Sequence, residues 1–166
     1  MTIKIYVDGA CIGNPGPGGW GVYIPSLDPP LELYGSEPRS TNNRMEMQAA
    51  IEALRAMPDG ADILILSDSK LLVKGMNEWM LGWINNGRLL PNSSNPVANV
   101  DLWKILLDES ACRTVRWKWV KGHSGIHGNE VADRLANKGC KESGRTSQGN
   151  RGQTRQRKTI QWSKAI

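Results

Sequence analysis

The feature that most constrains this chain is its most continuous apolar run, Asp62–Ser67 (DILILS). Apolar residues follow one another here without the alternation of a strand that has one face in water. Such a run predicts a central parallel strand covered on both faces. Residues 42–54, before the run, and 69–79, after it, have helical spacing. Helices on either side of a buried parallel strand are typical of an α/β domain.

The rest of the chain supplies the remaining elements of that domain. Apolar or alternating segments at 3–7, 20–24 and 31–35 predict three antiparallel strands before the first helix. Residues 100–110 and 129–140 predict two more helices, with an alternating strand at 114–120 between them. Residues 80–98 are rich in Gly, Asn, Ser and Pro, which predicts a looser excursion. The order predicts a mixed sheet, three antiparallel strands then parallel strands, with helices on both faces.

Length and cysteine content limit the class of protein. A chain of 166 residues predicts one main domain. The three cysteines are odd in number and irregularly spaced, which argues against a disulfide framework or a zinc site. The N-terminus lacks the features of a signal peptide, and no window approaches the ~18 apolar residues of a membrane span. We therefore expect a cytoplasmic monomer that does not associate with membranes.

The net charge of +5 is concentrated at the C-terminus. Residues 1–140 hold 14 Lys and Arg against 15 Asp and Glu, whereas residues 141–166 hold 7 against 1. We predict a body over residues 1–142 and a basic, flexible tail over 143–166. A basic tail on a neutral body favours a polyanionic partner, the alternative being a solubilising tail without a partner.

Acidic residues follow two of the predicted strands. Asp8 comes after the first strand and Asp68 after Asp62–Ser67. The glycine-rich residues 9–19 after Asp8 predict a hairpin loop in which backbone can approach a ligand closely. The alternative is a structural turn beside an ordinary solvated Asp. If the two strands are parallel neighbours, both carboxylates lie at the edge where α/β sheets bind ligands.

Two further acids, Glu46 early in a helix and Asp133 in the last helix, could converge on the same edge. Four uncompensated carboxylates repel one another strongly unless cations lie among them. Oxygen-only ligands suit Mg²⁺ or Mn²⁺ rather than zinc. Two such ions can support phosphodiester hydrolysis. For any single acid taken alone, a solvated surface position is the alternative.

Six stretches of the sequence form a set of motifs. They are Asp8-Gly9-Ala10-Cys11 with the glycines to Gly19, Thr41 to Glu46, Ser67-Asp68-Ser69, Asn99 to Trp103, Trp119 to His123, and Asn129-Glu130 through Asp133. In this order they make the chain similar to bacterial-type ribonuclease H, type 1, over about residues 3–140. The resemblance implies a five-stranded mixed sheet. It also implies metal-dependent endonucleolytic cleavage of the RNA strand of RNA–DNA hybrids, leaving 5′-phosphate and 3′-hydroxyl ends.

The resemblance also implies roles for individual residues. Asp8, Glu46, Asp68 and Asp133 match the carboxylates that hold two Mg²⁺ ions, with Mn²⁺ as a possible substitute. His123 matches a loop histidine that assists proton transfer or product release, the alternative being a plain loop histidine. The predicted substrate-binding residues, which hold 2′-hydroxyls, bases or a DNA phosphate, are Gly9, Asn14, Thr41, Asn43 and Gln48. For the run Thr41-Asn42-Asn43, helix capping is the alternative, and both roles are compatible.

One departure concerns residues 75–103, where many bacterial members carry a basic protrusion. This segment contains a single basic residue, Arg88. We therefore predict that the basic tail takes over backbone binding. Two other functions are open: a non-cleaving hybrid-binding module, and a DNA-cleaving nuclease of the same fold. The four acids argue against the first, and Asn14, Asn43 and Gln48 favour RNA recognition over the second.

Overall fold

The computed structural model describes residues 1–90 and 92–146. Its five strands are β1 (Ile3–Cys11), β2 (Gly16–Ile24), β3 (Leu31–Ser40), β4 (Asp62–Ser67) and β5 (Thr114–Trp119). Its α-helices are α1 (Asn42–Arg55), α2 (Lys70–Lys74), α3 (Met80–Asn85), α4 (Val100–Ala111) and α5 (His127–Thr146), and a π-helical turn, Gly75–Trp79, joins α2 to α3.

The strands form one mixed sheet in the order β3-β2-β1-β4-β5. β1 is antiparallel to β2, and β2 is antiparallel to β3. β1, β4 and β5 run parallel to one another. The predicted α/β fold and mixed sheet are confirmed, and the parallel pairing of β1 with β4 places their carboxyl ends at one edge.

Helices α1 and α5 cover opposite faces of this sheet. Successive residues of a strand point to opposite faces. A Cβ atom on Gly9 would overlap the backbone of α1 at Glu46. A Cβ atom on Gly19, the partner of Ala10 on the next strand, would overlap the backbone of α5 at Ala136. Glycine at these positions lets both helices pack directly on the strands.

The main core lies between the sheet and α1. The predicted apolar stripe of α1 is confirmed, because Met47, Ala50, Ile51 and Leu54 are fully buried. Strand residues such as Ile5 meet this stripe in one connected cluster that also includes α4. Among the described helices, none is long and apolar enough to cross a membrane.

The glycine-rich loop predicted over residues 9–19 is mostly strand. β1 continues three residues beyond Asp8 to Cys11, and β2 begins at Gly16, so the turn between them holds only residues 12–15. Residues 8–11 pair with 18–21 across the hairpin. β3 is likewise longer than predicted, ending at Ser40 rather than at residue 35. Gly9 and Gly19 therefore serve helix packing, whereas Gly13 lies in the turn with a φ of 71°.

The C-terminal helix is also longer than the predicted 129–140. α5 reaches Thr146, and Ser143 within it is buried. The Ser143 hydroxyl donates to the carbonyl of Glu37 at 2.6 Å, and the Ser36 hydroxyl donates to the carbonyl of Gly139 at 2.6 Å. These bonds hold α5 against β3, so residues 143–146 continue the helix. The rest of the predicted tail, residues 147–166, lies outside the described residues.

Candidate metal-binding active site

Asp8 lies inside the sheet rather than in a loop. It belongs to β1, pairs with Gly21 of β2, and is only 4% exposed. The backbone N–H of Gly9 donates to Asp8 Oδ1 at 2.9 Å. The strand thereby fixes the position of a carboxylate that water scarcely reaches.

Asp68 follows β4 at the same edge of the sheet. Its backbone carbonyl accepts a hydrogen bond from Trp119 Nε1 at 3.1 Å. Gly122, in the loop after β5, lies so close that a Cβ atom there would be 2.6 Å from Asp68 Oδ2. Trp119 thus holds the backbone of Asp68, and the lack of a side chain at Gly122 leaves room for the carboxylate.

Glu46 reaches the site from the start of α1. That helix is capped by Thr41, whose hydroxyl accepts from the N–H of Arg44 at 3.2 Å. Because Gly9 has no side chain, the backbone of α1 contacts β1 at Glu46. Glu46 Oε2 is buried, and within the described residues it has no hydrogen-bond partner.

The three carboxylates form one cluster. A carboxylate oxygen from each of Asp8, Glu46 and Asp68 lies within 4.8 Å of the others. Within residues 1–90 and 92–146, no Lys, Arg or His side chain forms an ion pair with these acids. The cluster therefore concentrates negative charge without a protein cation.

Burial and mutual repulsion change the protonation of Asp8 and Glu46. The pKa of Asp8 is raised to about 8, chiefly by burial and also by the charges of Asp68 and Asp133, against hydrogen bonds with Glu46 and Gly9 that lower it. Burial also raises the pKa of Glu46 well above its ordinary value, with the neighbouring Asp8 as the next cause. A divalent cation would reverse both shifts, because it favours the ionised carboxylates.

These residues fit a hard divalent cation. All the donors are carboxylate oxygens, which are the ligands of Mg²⁺ and Mn²⁺. Glu46 Oε2 is a buried oxygen without a hydrogen-bond partner among the described residues, and a bound cation would satisfy it. The absence of sulfur or nitrogen donors from the cluster disfavours zinc.

Asp133 lies outside this three-carboxylate cluster. It is half-buried on α5, and Asn137 Nδ2 donates to its Oδ1 at 3.3 Å. Its charge nevertheless contributes to the raised pKa of Asp8. The structure thus brings together three of the four acids predicted as ligands and leaves Asp133 beside them, where its role stays a prediction.

His123 follows Gly122, the residue that touches Asp68. It is exposed and has a φ of 54°, in the left-handed region that non-glycine residues rarely adopt. The backbone of its loop therefore meets the cluster, and the ring is accessible to solvent. Its role in proton transfer or product release stays a prediction.

The residues predicted to bind substrate gather around the start of α1. Asn14 Oδ1 accepts from the N–H of Asn42 at 3.0 Å, which joins the β1–β2 turn to the helix. Thr41 is the N-cap, so the capping alternative is confirmed for this residue. Asn43 is exposed in the first turn, and Gln48 Nε2 donates to Glu52 Oε1 at 3.0 Å. For Gly9 the structure adds a packing role, the contact with α1.

Comparison with known proteins decides the family. The family model described as RNase H matches residues 1–141. The chain belongs to the ribonuclease H family. Among curated relatives, the ribonuclease H of Hahella chejuensis is 50% identical over 142 residues, covering 86% of this chain and 95% of the relative. The ribonuclease H of Pseudomonas entomophila is 48% identical over 141 residues, covering 85% of this chain and 95% of the relative.

A solved structure supports the same assignment. LC9-RNase H1, a type 1 ribonuclease H with the type 2 active-site motif, has a TM-score of 0.74 with this chain. The two sequences are 31% identical, and the match covers 86% of this chain and 73% of that one. This ribonuclease H thus shares both fold and sequence with known members.

Sequence reasoning missed two contacts that support this ribonuclease H site. Arg44 donates to Asn99 Oδ1 at 3.2 Å and forms two bonds to Asp101, tying the start of α4 to the start of α1. Trp119 anchors the carbonyl of Asp68. The stretches containing Asn99, Asp101 and Trp119 matched the family motifs, but motif spacing does not reveal which atoms meet.

Proposed function

We propose that this ribonuclease H hydrolyses the RNA strand of RNA–DNA hybrids with divalent cations, leaving 5′-phosphate and 3′-hydroxyl ends. The observation that carries the proposal is the unneutralised cluster of a buried Asp8 with half-buried Glu46 and Asp68 in a chain of this family. Such a cluster costs folding free energy, which favours a catalytic use over a structural one.

The carboxylates are proposed to hold two Mg²⁺ ions, for which Mn²⁺ could substitute. Asp8, Glu46 and Asp68 would be the inner ligands, and Asp133 a fourth ligand at the side of the site. When bound, the cations would polarise the phosphodiester and lower the pKa of the attacking water. The protein's own contribution is the fixed position of each carboxylate, set by β1, by α1 and by the Trp119–Asp68 hydrogen bond.

His123 is proposed to carry a proton. An imidazole exchanges protons near neutral pH, which suits protonation of the leaving 3′-oxygen or release of the product. Its exposure on a loop that touches Asp68 supports this role, because the ring can meet both substrate and solvent.

The start of α1 is proposed to hold the hybrid. Asn14 and Thr41 would bind a phosphate of the DNA strand, a role favoured by the positive end of a helix. Gly9, Asn43 and Gln48 would contact 2′-hydroxyls and bases of the RNA strand, and the 2′-hydroxyl is the group that separates RNA from DNA. The hydrogen bond between Asn14 and the first turn of α1 supports a shared function.

The remaining parts of the proposal concern the whole chain. Residues 147–166 contain five Lys and Arg residues and no Asp or Glu, and we propose that this tail adds backbone contacts to the hybrid. We further propose that the enzyme acts as a monomer in the cytoplasm.

A hydrolysis assay with Mg²⁺ on three duplexes of one sequence tests the proposal. We expect cleavage of the RNA strand of the RNA–DNA hybrid and none of duplex DNA or duplex RNA. Binding of the hybrid without cleavage would support the binding-module alternative. Cleavage of duplex DNA would support the alternative of a DNA-cleaving nuclease.

A further inference from the structure

The exposed face of α5 carries a row of basic side chains. The four residues Arg134, Lys138, Lys141 and Arg145 are all exposed. At 3.6 residues per turn their directions fall within about 60° of one another, which makes a narrow stripe along the helix. We call these four residues the α5 basic stripe.

The stripe is held rigidly, because the opposite face of α5 is fastened to the sheet. Gly139 lies directly against the backbone of β3 at Gly35. The hydroxyl–carbonyl bonds of Ser36 with Gly139 and of Ser143 with Glu37 fix the same segment. A partner would therefore meet basic side chains on a preformed scaffold, with little ordering cost for the backbone.

Charge compensation is weak along the stripe, in contrast to several arginines elsewhere in residues 1–90 and 92–146. Several arginines are neutralised by carboxylates, as Arg44 is by Asp101 at 2.8 Å. Within the stripe, only Arg134 has such a pair, with Glu32 at 3.0 Å. Lys138 lies over the ring of Tyr34 at 4.7 Å. Across residues 1–90 and 92–146, no carboxylate lies within salt-bridge distance of Lys138 or of the other two stripe cations, Lys141 and Arg145.

One acid, Glu142, lies among the stripe residues and offsets part of their charge. It is half-buried and accepts a hydrogen bond from the Tyr34 hydroxyl at 2.9 Å, on the β3 side of α5. Because Glu142 follows Lys138 by four residues, it lies beside Lys138, about 40° round the helix. Residues 134–145 therefore hold four basic residues against one acid, a net charge of +3.

The position of the stripe relates it to the active site. It begins at Arg134, immediately after Asp133, whose charge reaches Asp8. From there it runs about 16 Å along the helix at 1.5 Å per residue. Residues 75–103 offer only Arg88, and its Nε already donates to the carbonyl of Asn95 at 3.2 Å.

We infer that the α5 basic stripe binds the phosphate backbone of nucleic acid flanking the cleavage site, without reading sequence or sugar. Four cations over about 16 Å face about five phosphates of one strand at 3.4 Å each. The inference rests on the proposed function only for its choice of nucleic acid as the partner. Since such contacts ignore the 2′-hydroxyl, the stripe also binds duplex DNA, which the proposed active site does not cleave.

The test uses the full chain and a 36-bp DNA duplex, with binding measured by fluorescence anisotropy across a salt series. The variant K138Q/K141Q/R145Q removes the three stripe cations without a carboxylate partner and leaves Arg134 beside Asp133 unchanged. The control K4Q/K74Q/K104Q removes the same charge from exposed positions on β1, α2 and α4, where Lys104 pairs with Asp108 at 3.0 Å. Hybrid hydrolysis, assayed separately, tests the proposed function, so the two can fail independently.

We expect the stripe variant to bind the DNA about tenfold or more weakly at low salt, and its salt slope to fall by about 2–3. The control triple should stay within about threefold of the wild type. Equal affinity and slope in the wild type and the stripe variant would overturn the inference, as would an equal loss in both triples. The charge-preserving variant K138R/K141R should bind like the wild type, and a loss there would also overturn it.

Discussion

Two aspartates show how differently this molecule treats the same side chain. Asp101, exposed in the first turn of α4, accepts two bonds from Arg44 at 3.0 and 2.8 Å. Asp8 is buried in β1 and has other carboxylates as its nearest charges. Hydrogen bonding to Arg44 lowers the pKa of Asp101, whereas burial raises the pKa of Asp8 to about 8.

The two aspartates therefore have opposite effects on stability: Asp101 stabilises the folded state, whereas Asp8 destabilises it. Asp101 joins two helices through a guanidinium and favours the folded state. The acids at the edge of β1 and β4 oppose folding, because removing a carboxylate from water without a cation is costly. A cluster of this kind is typical of a functional site.

The largest effect is expected when Asp8 is neutralised. Asp8→Asn should reduce hybrid hydrolysis by about 10³-fold or more, since several kcal/mol of transition-state stabilisation depend on the bound cations. The same change removes a repulsive charge, so the metal-free variant should be at least as stable as the wild type. Initial rates and urea unfolding measure the two effects. Asp108→Asn, on the exposed face of α4, is the control: it should leave hydrolysis unchanged and cost at most about 0.5 kcal/mol of stability, because it loses only an exposed ion pair with Lys104.

The next largest effect concerns the loop beside the cluster. His123→Ala should lower kcat by about 10²-fold, as expected for one positioned acid–base group. KM should change little, because the proposed role begins after substrate binding. Steady-state kinetics on a hybrid separate the two constants. A rise in KM with unchanged kcat would make His123 a binding residue instead.

The pH dependence of the free energy of unfolding tests the raised pKa of Asp8 and needs no substrate. In EDTA the folded protein keeps a proton on Asp8 between about pH 4 and pH 8, where the unfolded chain has released it. Stability should therefore fall as pH rises through this window, by about 1.4 kcal/mol per pH unit for each extra proton held. Urea unfolding at several pH values measures the slope. Asp8→Asn should flatten it, and an identical slope in that variant would refute the assignment.

The smallest effect is expected at Asp101, the acid that pairs with Arg44. Asp101→Asn should cost about 0.5–1 kcal/mol of stability at low salt, because exposed ion pairs contribute little and are screened. The loss should shrink in 0.5 M NaCl. Urea unfolding at both salt concentrations measures this cost. A cost of several kcal/mol would contradict the prediction, because the Arg44–Asp101 contact between α1 and α4 would then contribute more than an exposed ion pair does.

Much of the fold followed from local patterns in the sequence. The apolar run at Asp62–Ser67 became β4 with the predicted bounds, and four of its six residues are buried. The buried stripe of α1 could also be predicted, because the helical spacing of apolar residues is a local property of the sequence. Asp8 and Asp68 could be placed together because parallel neighbours bring their carboxyl ends to one edge.

What the sequence did not reveal depends on contacts distant in the chain. Gly19 was predicted as part of a loop, yet it belongs to β2, where α5 packs directly on it. The end of α5 was placed too early for a similar reason, since Ser143 is fastened to β3 by a contact more than 100 residues away. That Asp133 lies beside the cluster rather than within it depends on the docking of α5, which no local pattern encodes.

Asp8, Glu46 and Asp68 are proposed to form a cation site. The most direct test is the change in Tm caused by Mg²⁺ at constant ionic strength, for the wild type and Asp68→Asn. A ligand that binds only the folded state raises Tm, and deprotonation of the carboxylates favours binding. We predict a rise in the wild type that is larger at pH 8.5 than at pH 6.5, and little or none in Asp68→Asn. No rise in the wild type, or an equal rise in both proteins, would contradict the claim.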